Sequence, residues 1–157
     1  MKTIHEWNDE YSRYHKNKIN KIIHWICIPL IMFSLLGLLS KINIIKLNTD
    51  SIFFSIRGLE IFIIIAIGYY LKISKSLAIG MSLITLLFVL IIESINKNDE
   101  IMQIYLYLGI FIISWIGQFI GHKIEGKKPA FFKDLQFLLI GPLWLLAYIY
   151  KKLNIKL

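Results

Sequence analysis

Long apolar runs separated by short polar stretches dominate the chain. Four runs are candidates to cross a membrane as helices, and they cover roughly Ile22–Leu39, Ile52–Leu71, Leu77–Ile92 and Ile104–Gly121. Some are short against the roughly 20 residues that a helix needs to cross about 30 Å of hydrocarbon. A fifth run, Leu135–Tyr150, is broken by Gly141-Pro142. Because proline removes a helical hydrogen bond, we expect this run to kink and not to span.

These runs predict an all-α fold, a polytopic membrane helix bundle with four transmembrane helices and a kinked C-terminal segment. We expect a single membrane domain over residues 1–157. It comprises a cytoplasmic N-terminal arm (1–21), the four-helix bundle (22–121), and a cytoplasmic loop with the C-terminal segment (122–157).

The composition supports a membrane environment. Hydrophobic residues make up 57% of the chain and charged residues 18%, with a mean hydropathy of +0.64. Soluble domains are about 45–50% apolar and about 25% charged. A domain of this size could not bury such runs in one core, so lipid is their natural solvent.

The basic residues predict the orientation. With four crossings, 14 of the 18 Lys and Arg residues fall on the side that holds both termini. If the fifth run also crossed, the split would be 11 to 7, so the positive-inside rule favours four crossings and cytoplasmic termini, as in a bacterial inner membrane. The net charge of +8 then reflects cytoplasmic loops and anionic headgroups, and we expect no nucleic-acid partner.

Two features inside the apolar runs, a pair of opposite charges and a cysteine, are best interpreted as structural rather than functional. Arg57 and Glu60 are three residues apart at the start of the second run, so they can pair on a helix. Cys27 is the one cysteine of the chain, which excludes an intramolecular disulfide and indicates a small core residue.

Histidines are the candidate chemistry. In the predicted topology His5, His15, His24 and His122 all fall at the cytoplasmic face. Imidazoles that are distant in sequence but share one membrane level can form an iron, copper or zinc site, which a carboxylate can complete.

Spacing along the fourth run sharpens this hypothesis. Trp115, Gln118, His122 and Glu125 follow an i, i+3, i+7, i+10 pattern, so one helical face presents all four if the helix continues past Gly121.

At the N-terminal end, Tyr11 and His15 are four residues apart, as are Asn20 and His24. His15 and His24 are nine residues apart, which puts them on opposite faces of a continuous helix. They converge only if the chain turns between them, and Asn17 can form that turn.

Other interpretations stay open at this point. Histidines and aromatic residues near headgroups also suit an interfacial belt, and Gln118 suits a hydrogen bond within the bundle. Two opposed histidines can ligate haem, which requires His24 and His122 at matching depths and a pocket to which Gly117 and Gly121 could give room. The sequence holds no Gly-rich phosphate loop, HExxH or GxSxG motif, and far fewer histidines than membrane di-iron hydroxylases use.

Two stretches resemble a known family. The spacing Tyr11-x3-His15-x4-Asn20-x3-His24, followed by Ile28-Pro29-Leu30, and the stretch Ser114 to Ala147 resemble the two signatures of the 2-hydroxy fatty acid dioxygenases. These enzymes are known from fungal sphingoid-base breakdown and have many bacterial relatives. Fungal relatives tend to carry proline directly before the asparagine, where this chain has Ile19.

The resemblance implies an Fe(II)-dependent dioxygenase that uses O2 to shorten a 2-hydroxy fatty acid by one carbon and release carbon dioxide. The implied iron ligands are His15, His24 and His122. Glu125 would be a fourth ligand or a supporting group, and the remaining support would come from Tyr11, Asn20 and Gln118. The lipid substrate would lie among the helices, with the metal site at the cytoplasmic face. The alternative is a non-catalytic membrane protein that binds lipid or scaffolds a partner.

The topology predicted from the sequence can be tested by labelling. Both termini and the Gly121–Asp134 loop should share the cytoplasmic side, because that arrangement collects most of the basic residues. Accessibility labelling of single-cysteine variants in a Cys27→Ala background measures this. An external C-terminus would mean that the Gly141-Pro142 segment spans.

Overall fold

The computed structural model describes residue 6 and residues 15–49, 52–97, 99–126 and 131–156, with side chains described outside residues 47–54 and 131–138. In chain order, the elements are α1 (Lys18–Leu39), β1 (Asn43–Thr49), β2 (Ile52–Arg57), α2 (Gly58–Ile73), α3 (Lys75–Ile95), α4 (Glu100–Ile124) and α5 (Phe131–Lys152). The predicted helical architecture is confirmed. One element was not expected, an antiparallel hairpin of β1 and β2.

Three helices of the described chain are long and apolar enough to cross a membrane. These are α1, α3 and α4, with 22, 21 and 25 residues. Large apolar side chains cover their outer faces, among them Leu83 on α3 and Ile113 on α4, which are 64% and 71% exposed. A helix that is apolar on its outer face is stable in lipid, so the membrane assignment follows from these faces.

The prediction of four spans is not confirmed, because the second predicted segment is divided. Its first six residues form β2, and the following helix, α2, has 16 residues. A helix of that length covers about 24 Å, less than the about 30 Å of a hydrocarbon core. Hydropathy did not reveal this division, since an apolar run rich in isoleucine and phenylalanine suits a strand as well as a helix.

Helices α1 to α4 nevertheless run up and down between two ends. At one end, the Asn96 amide donates to Ser40 Oγ at 3.0 Å, Lys41 Nζ donates to Gln103 Oε1, and the Ile42 carbonyl accepts the first N–H of α2 at 2.8 Å. This end, called the hairpin end, joins α1, α2, α3 and α4. The N-terminus of α1 and the C-terminus of α4 therefore meet at the opposite end, called the histidine end.

Glycines bring α1 and α4 into close contact. A Cβ added at Gly117 would lie 2.6 Å from Cys27 Sγ, and one added at Gly37 would lie 2.4 Å from the Tyr107 ring. Gly121 follows Gly117 by four residues, which is the small-xxx-small spacing that lets membrane helices approach. Cys27 thus has the packing role that the sequence indicated.

The segment around Gly141-Pro142 packs against the bundle. α5 continues through Pro142 as one helix. Residues 140–147 are all buried, and a Cβ on Gly141 would lie 3.1 Å from Ile28 Cδ1. One turn before the proline, the Leu139 carbonyl accepts the Tyr70 hydroxyl at 3.0 Å, so this backbone group is satisfied by protein rather than exposed to lipid.

The predicted ion pair between Arg57 and Glu60 is present at 2.5 Å. Arg57 also contacts Glu93 on α3 at 2.6 Å, a partner that the sequence did not indicate. The guanidinium therefore connects the hairpin to both α2 and α3.

Candidate metal centre

The start of α1 places two of the histidines. Asn17 caps the helix, with its side-chain oxygen accepting the N–H groups of Ile19 at 2.8 Å and Asn20 at 3.4 Å. Because the chain turns at this cap, His15 folds back over the first turns of α1 and faces His24. The turn expected at Asn17 is therefore present.

The third histidine comes from the last turn of α4. α4 runs from Glu100 to Ile124 without a break, so the helix does continue past Gly121. Gly121 lies against α1 here: a Cβ on it would be 2.4 Å from Asn20 Oδ1 and 3.2 Å from His24 Cε1. A glycine at this position lets α1 pack directly against the last turns of α4, so that His122 and His24 share one level.

The three imidazoles form one buried cluster. The ring centroids are 4.3 Å apart for His15 and His24, 5.0 Å for His24 and His122, and 5.8 Å for His15 and His122. One nitrogen from each ring lies within 4.8 Å of the others, and the exposed fractions are only 1%, 1% and 8%. On a common ion with bonds of about 2.0–2.1 Å, such nitrogens are about 3.0–3.4 Å apart, so small ring rotations would close the site.

The donor chemistry of His24 suits a metal. Its Nδ1 lies 3.0 Å from the Asn20 carbonyl oxygen, which can only accept a hydrogen bond. Nδ1 therefore carries the proton, and the lone pair of the neutral ring is on Nε2. A backbone carbonyl that orients a metal-binding imidazole in this way is a common arrangement. Asn20 was expected to support the metal ligands, and this contact comes from its backbone rather than from its side chain.

Glu125 secures the turn that carries His15. Its carboxylate accepts the N–H of Lys16 at 2.7 Å, the N–H of Asn17 at 2.9 Å and the Asn20 amide at 2.9 Å. The group of candidate ligand atoms among the described residues contains the three histidines without Glu125. Of the two predicted roles, fourth ligand or supporting group, this geometry favours the second.

The same contacts determine the charge state of Glu125. Partial burial alone would raise its pKa, but hydrogen bonds from Asn17, Asn20 and Lys16, together with the nearby His15, lower the pKa below its ordinary value. The carboxylate is thus held ionised at the histidine end.

The remaining predicted residues differ in position. Gln118 is buried on α4 one turn before His122, and its supporting role stays a prediction. The Trp115 ring packs between Phe111 and Phe119, at ring-centroid distances of 6.2 and 5.7 Å. This packing favours a structural role for Trp115 over a role in the metal site. Tyr11 and His5 lie outside the described residues.

One residue near the site was missed, and so was the packing role of Gly121. The Trp144 ring of α5 lies 5.8 Å from the His15 ring and is buried. Trp144 lies inside the C-terminal signature, which could have drawn attention to it. No helical spacing, however, connects Trp144 to a histidine. The packing role of Gly121 could have been inferred from Gly117, because two small residues four apart often mark a contact between membrane helices.

The packing of the rings disfavours haem. His24 and His122 are only 5.0 Å apart by ring centroid, and His15 packs against both. Gly117 and Gly121 admit α1 rather than opening a pocket. No space for a macrocycle remains between these imidazoles.

The chain is similar to known proteins over most of its length. The model of a family described as 2-hydroxy-palmitic acid dioxygenase Mpo1-like matches residues 1–153. The 2-hydroxy-palmitic acid dioxygenase MPO1 of Saccharomyces cerevisiae is 30% identical over 140 residues, which cover 87% of this chain and 73% of the yeast protein. No solved structure matches significantly.

Gly121→Ala should disrupt the cluster. The added methyl group would collide with Asn20, and overpacking of this kind costs about 1–3 kcal/mol. Gly109→Ala is the matched control on the same helix, since its Cβ would meet open space, and it should be neutral or stabilising by about 0.5–1 kcal/mol. Unfolding in detergent compares the two; equal stabilities would contradict the close approach.

Glu125→Gln should weaken metal binding without abolishing it. The variant loses the charge and one acceptor oxygen, and loss of an outer hydrogen-bond partner typically costs about 10–100-fold in metal affinity. Folding lowers the pKa of Glu125, so the ionised carboxylate stabilises the folded protein. This contribution to stability is complete above the pKa of a glutamate in the unfolded chain, about 4.3, and is lost as the pH falls through the lower pKa of the folded state. Melting temperatures from pH 7 downward should therefore show wild type and variant converging in acid. A variant without any metal would make Glu125 a ligand instead.

Proposed function

Since the chain belongs to the Mpo1-like family of 2-hydroxy-palmitic acid dioxygenases, we propose that it uses O2 to shorten a 2-hydroxy fatty acid by one carbon, with release of carbon dioxide. The observation that carries the proposal is the cluster of His15, His24 and His122, three buried imidazoles whose nitrogens lie within 4.8 Å of one another.

The proposed reaction balances without a cosubstrate. RCH(OH)COOH and O2 give RCOOH, CO2 and H2O. The bond between C1 and C2 breaks, C1 leaves as CO2, and C2 becomes the new carboxyl carbon. The acid loses four electrons, which is the number that one O2 accepts.

Iron is the proposed metal, held by the three histidines. Imidazole ligands suit iron, copper and zinc alike, but zinc has no redox chemistry and the proposed reaction is an oxidation. Fe(II), when bound, would supply the activation of O2 and an open position for the substrate. The chelating groups of the substrate would be its carboxylate and its 2-hydroxyl.

The residues of the chain have distinct parts in this proposal. The Asn20 carbonyl keeps the proton of His24 on Nδ1, which leaves the lone pair on Nε2 for the metal. Glu125 holds the His15 turn through the Lys16 and Asn17 N–H groups. Burial of the three rings excludes bulk water from the reacting carbon, which strengthens electrostatic interactions there.

The position in the membrane suits a lipid substrate. The cluster lies where α1 begins and α4 ends, so an amphipathic acid could present its polar head there with its chain among the helices. We place this end at the cytoplasmic face of a bacterial inner membrane, because the Lys and Arg distribution favours that orientation.

Metal analysis after anaerobic purification, followed by Fe(II) and a panel of 2-hydroxy acids under O2, tests the proposal. We expect one iron per chain without a Soret band and equimolar consumption of O2 and release of CO2. Iron with a Soret band would indicate haem. Absence of metal and of turnover would indicate the non-catalytic lipid-binding alternative.

Alanine at His15, His24 or His122 should each lower bound iron and CO2 release by more than about 100-fold, beyond the loss expected for an outer partner. The bundle should stay folded, because membrane helices are stabilised mainly by packing and internal backbone hydrogen bonds. His5→Ala is the control, since His5 lies outside both signatures. The ligand assignment is wrong if His24→Ala and His122→Ala both keep stoichiometric iron.

A further inference from the structure

A groove runs between α1 and α5 beside the histidine cluster. It has a volume of about 530 Å³, and its walls are formed by Lys21, Ile22, Trp25, Ile26, Trp144 and Tyr148. Binding sites for small ligands have volumes of about 300–1,000 Å³, so the groove is large enough for one.

The groove is continuous with the metal centre through one residue. Trp144 forms part of its wall, and the same ring lies 5.8 Å from the His15 ring. A ligand in the groove would therefore lie against the indole that borders the cluster. The groove therefore borders the three histidines across the Trp144 ring.

The groove has the character of a site for an alkyl chain. Ile22 and Ile26 are 60% and 58% exposed on the outer face of α1, where lipid is the expected surrounding. Trp25 and Tyr148 pack edge to face at 5.3 Å and provide an aromatic wall. Amphipathic aromatic side chains of this kind are typical of the membrane interface, where a polar head meets an apolar chain.

The charge of the groove complements an anion. Lys21 is the charged residue among its lining side chains, and it sits in the first turn of α1, at the same end as the cluster. A single ammonium next to an apolar wall matches a single carboxylate on an alkyl chain. Lysine near the end of a membrane helix also directs its head toward the interface, where such a carboxylate would lie.

From this arrangement we infer that the groove between α1 and α5 admits the 2-hydroxy fatty acid from the bilayer, with Lys21 as the specificity residue for its carboxylate. The inference rests on the proposed function for the identity of the ligand. It adds the route of access, the wall that holds the chain and the residue that selects an acid over a neutral or zwitterionic lipid.

Photolabelling of the full chain in lipid nanodiscs tests the groove directly. The probe is 2-hydroxypalmitic acid with a diazirine at the chain end, and the labelled residues are mapped by mass spectrometry. Saturable labelling should concentrate on residues 22–26 and 144–148. Unlabelled 2-hydroxypalmitic acid should compete, while added phospholipid should not. Labelling spread evenly over the lipid-facing side of α3, or equal competition by phospholipid, would overturn the inference.

Matched variants test Lys21. Lys21→Met should raise the half-saturating probe concentration about two- to fivefold, the range expected for loss of one exposed ion pair, and Lys21→Arg should restore it. Lys18→Met removes the same charge from the same helix without lining the groove, so it should leave labelling unchanged. Equal effects of the two methionine variants, or none from Lys21→Met, would refute the role of Lys21.

A second pair of variants fills the groove. Ile26→Trp places a bulky ring in it from an exposed position and should lower saturable labelling at least about tenfold, whereas Leu83→Trp on the exposed face of α3 should not. Labelling is measured in metal-free protein, so it does not depend on turnover. Groove labelling without iron or CO2 release would refute the proposed function alone, and iron with CO2 release but no groove labelling would refute this inference alone.

Discussion

The close approach of α1 and α4 is the constraint on which the rest of the structure depends. Gly117 admits Cys27 and Gly121 admits Asn20, each at a distance that forces a shift if a Cβ is added, and Gly121 also lies close to His24. In lipid, where helices gain little from burying apolar surface against one another, backbone proximity and packing provide most of their association. This contact also brings the end of α4 level with the beginning of α1, so the same packing that assembles the bundle assembles the histidine cluster.

Polar contacts then refine what packing brings together. Glu125 reaches back over more than one hundred residues of sequence to Lys16, Asn17 and Asn20, and so determines the path of the chain that carries His15. The Asn20 carbonyl in turn orients His24. Both contacts act on the imidazoles and on the turn that carries them, whereas the helices are held together mainly by packing.

α5 packs against the bundle on one side and lines the lipid-facing groove on the other. Its buried stretch packs against Ile28 through Gly141, and Tyr70 satisfies a carbonyl next to the proline-containing turn. Trp144 then touches the cluster on one side and the groove on the other. The helix that we expected only to kink and not to span is thus a wall shared by the histidine cluster and the groove.

Local properties of the sequence determined much of this protein. Hydropathy established the membrane bundle, and histidine spacing with the two signatures identified the family and selected His15, His24 and His122. Tertiary structure decided the rest. The length of α2 depends on where the hairpin ends. Hydropathy could not show this, because an apolar run has the same hydropathy as a strand and as a helix. The supporting place of Glu125, the use of the Asn20 backbone instead of its side chain, and the contact of Trp144 with His15 all depend on segments distant in sequence. Periodicity describes one helix at a time, so it cannot show which atoms of two helices meet.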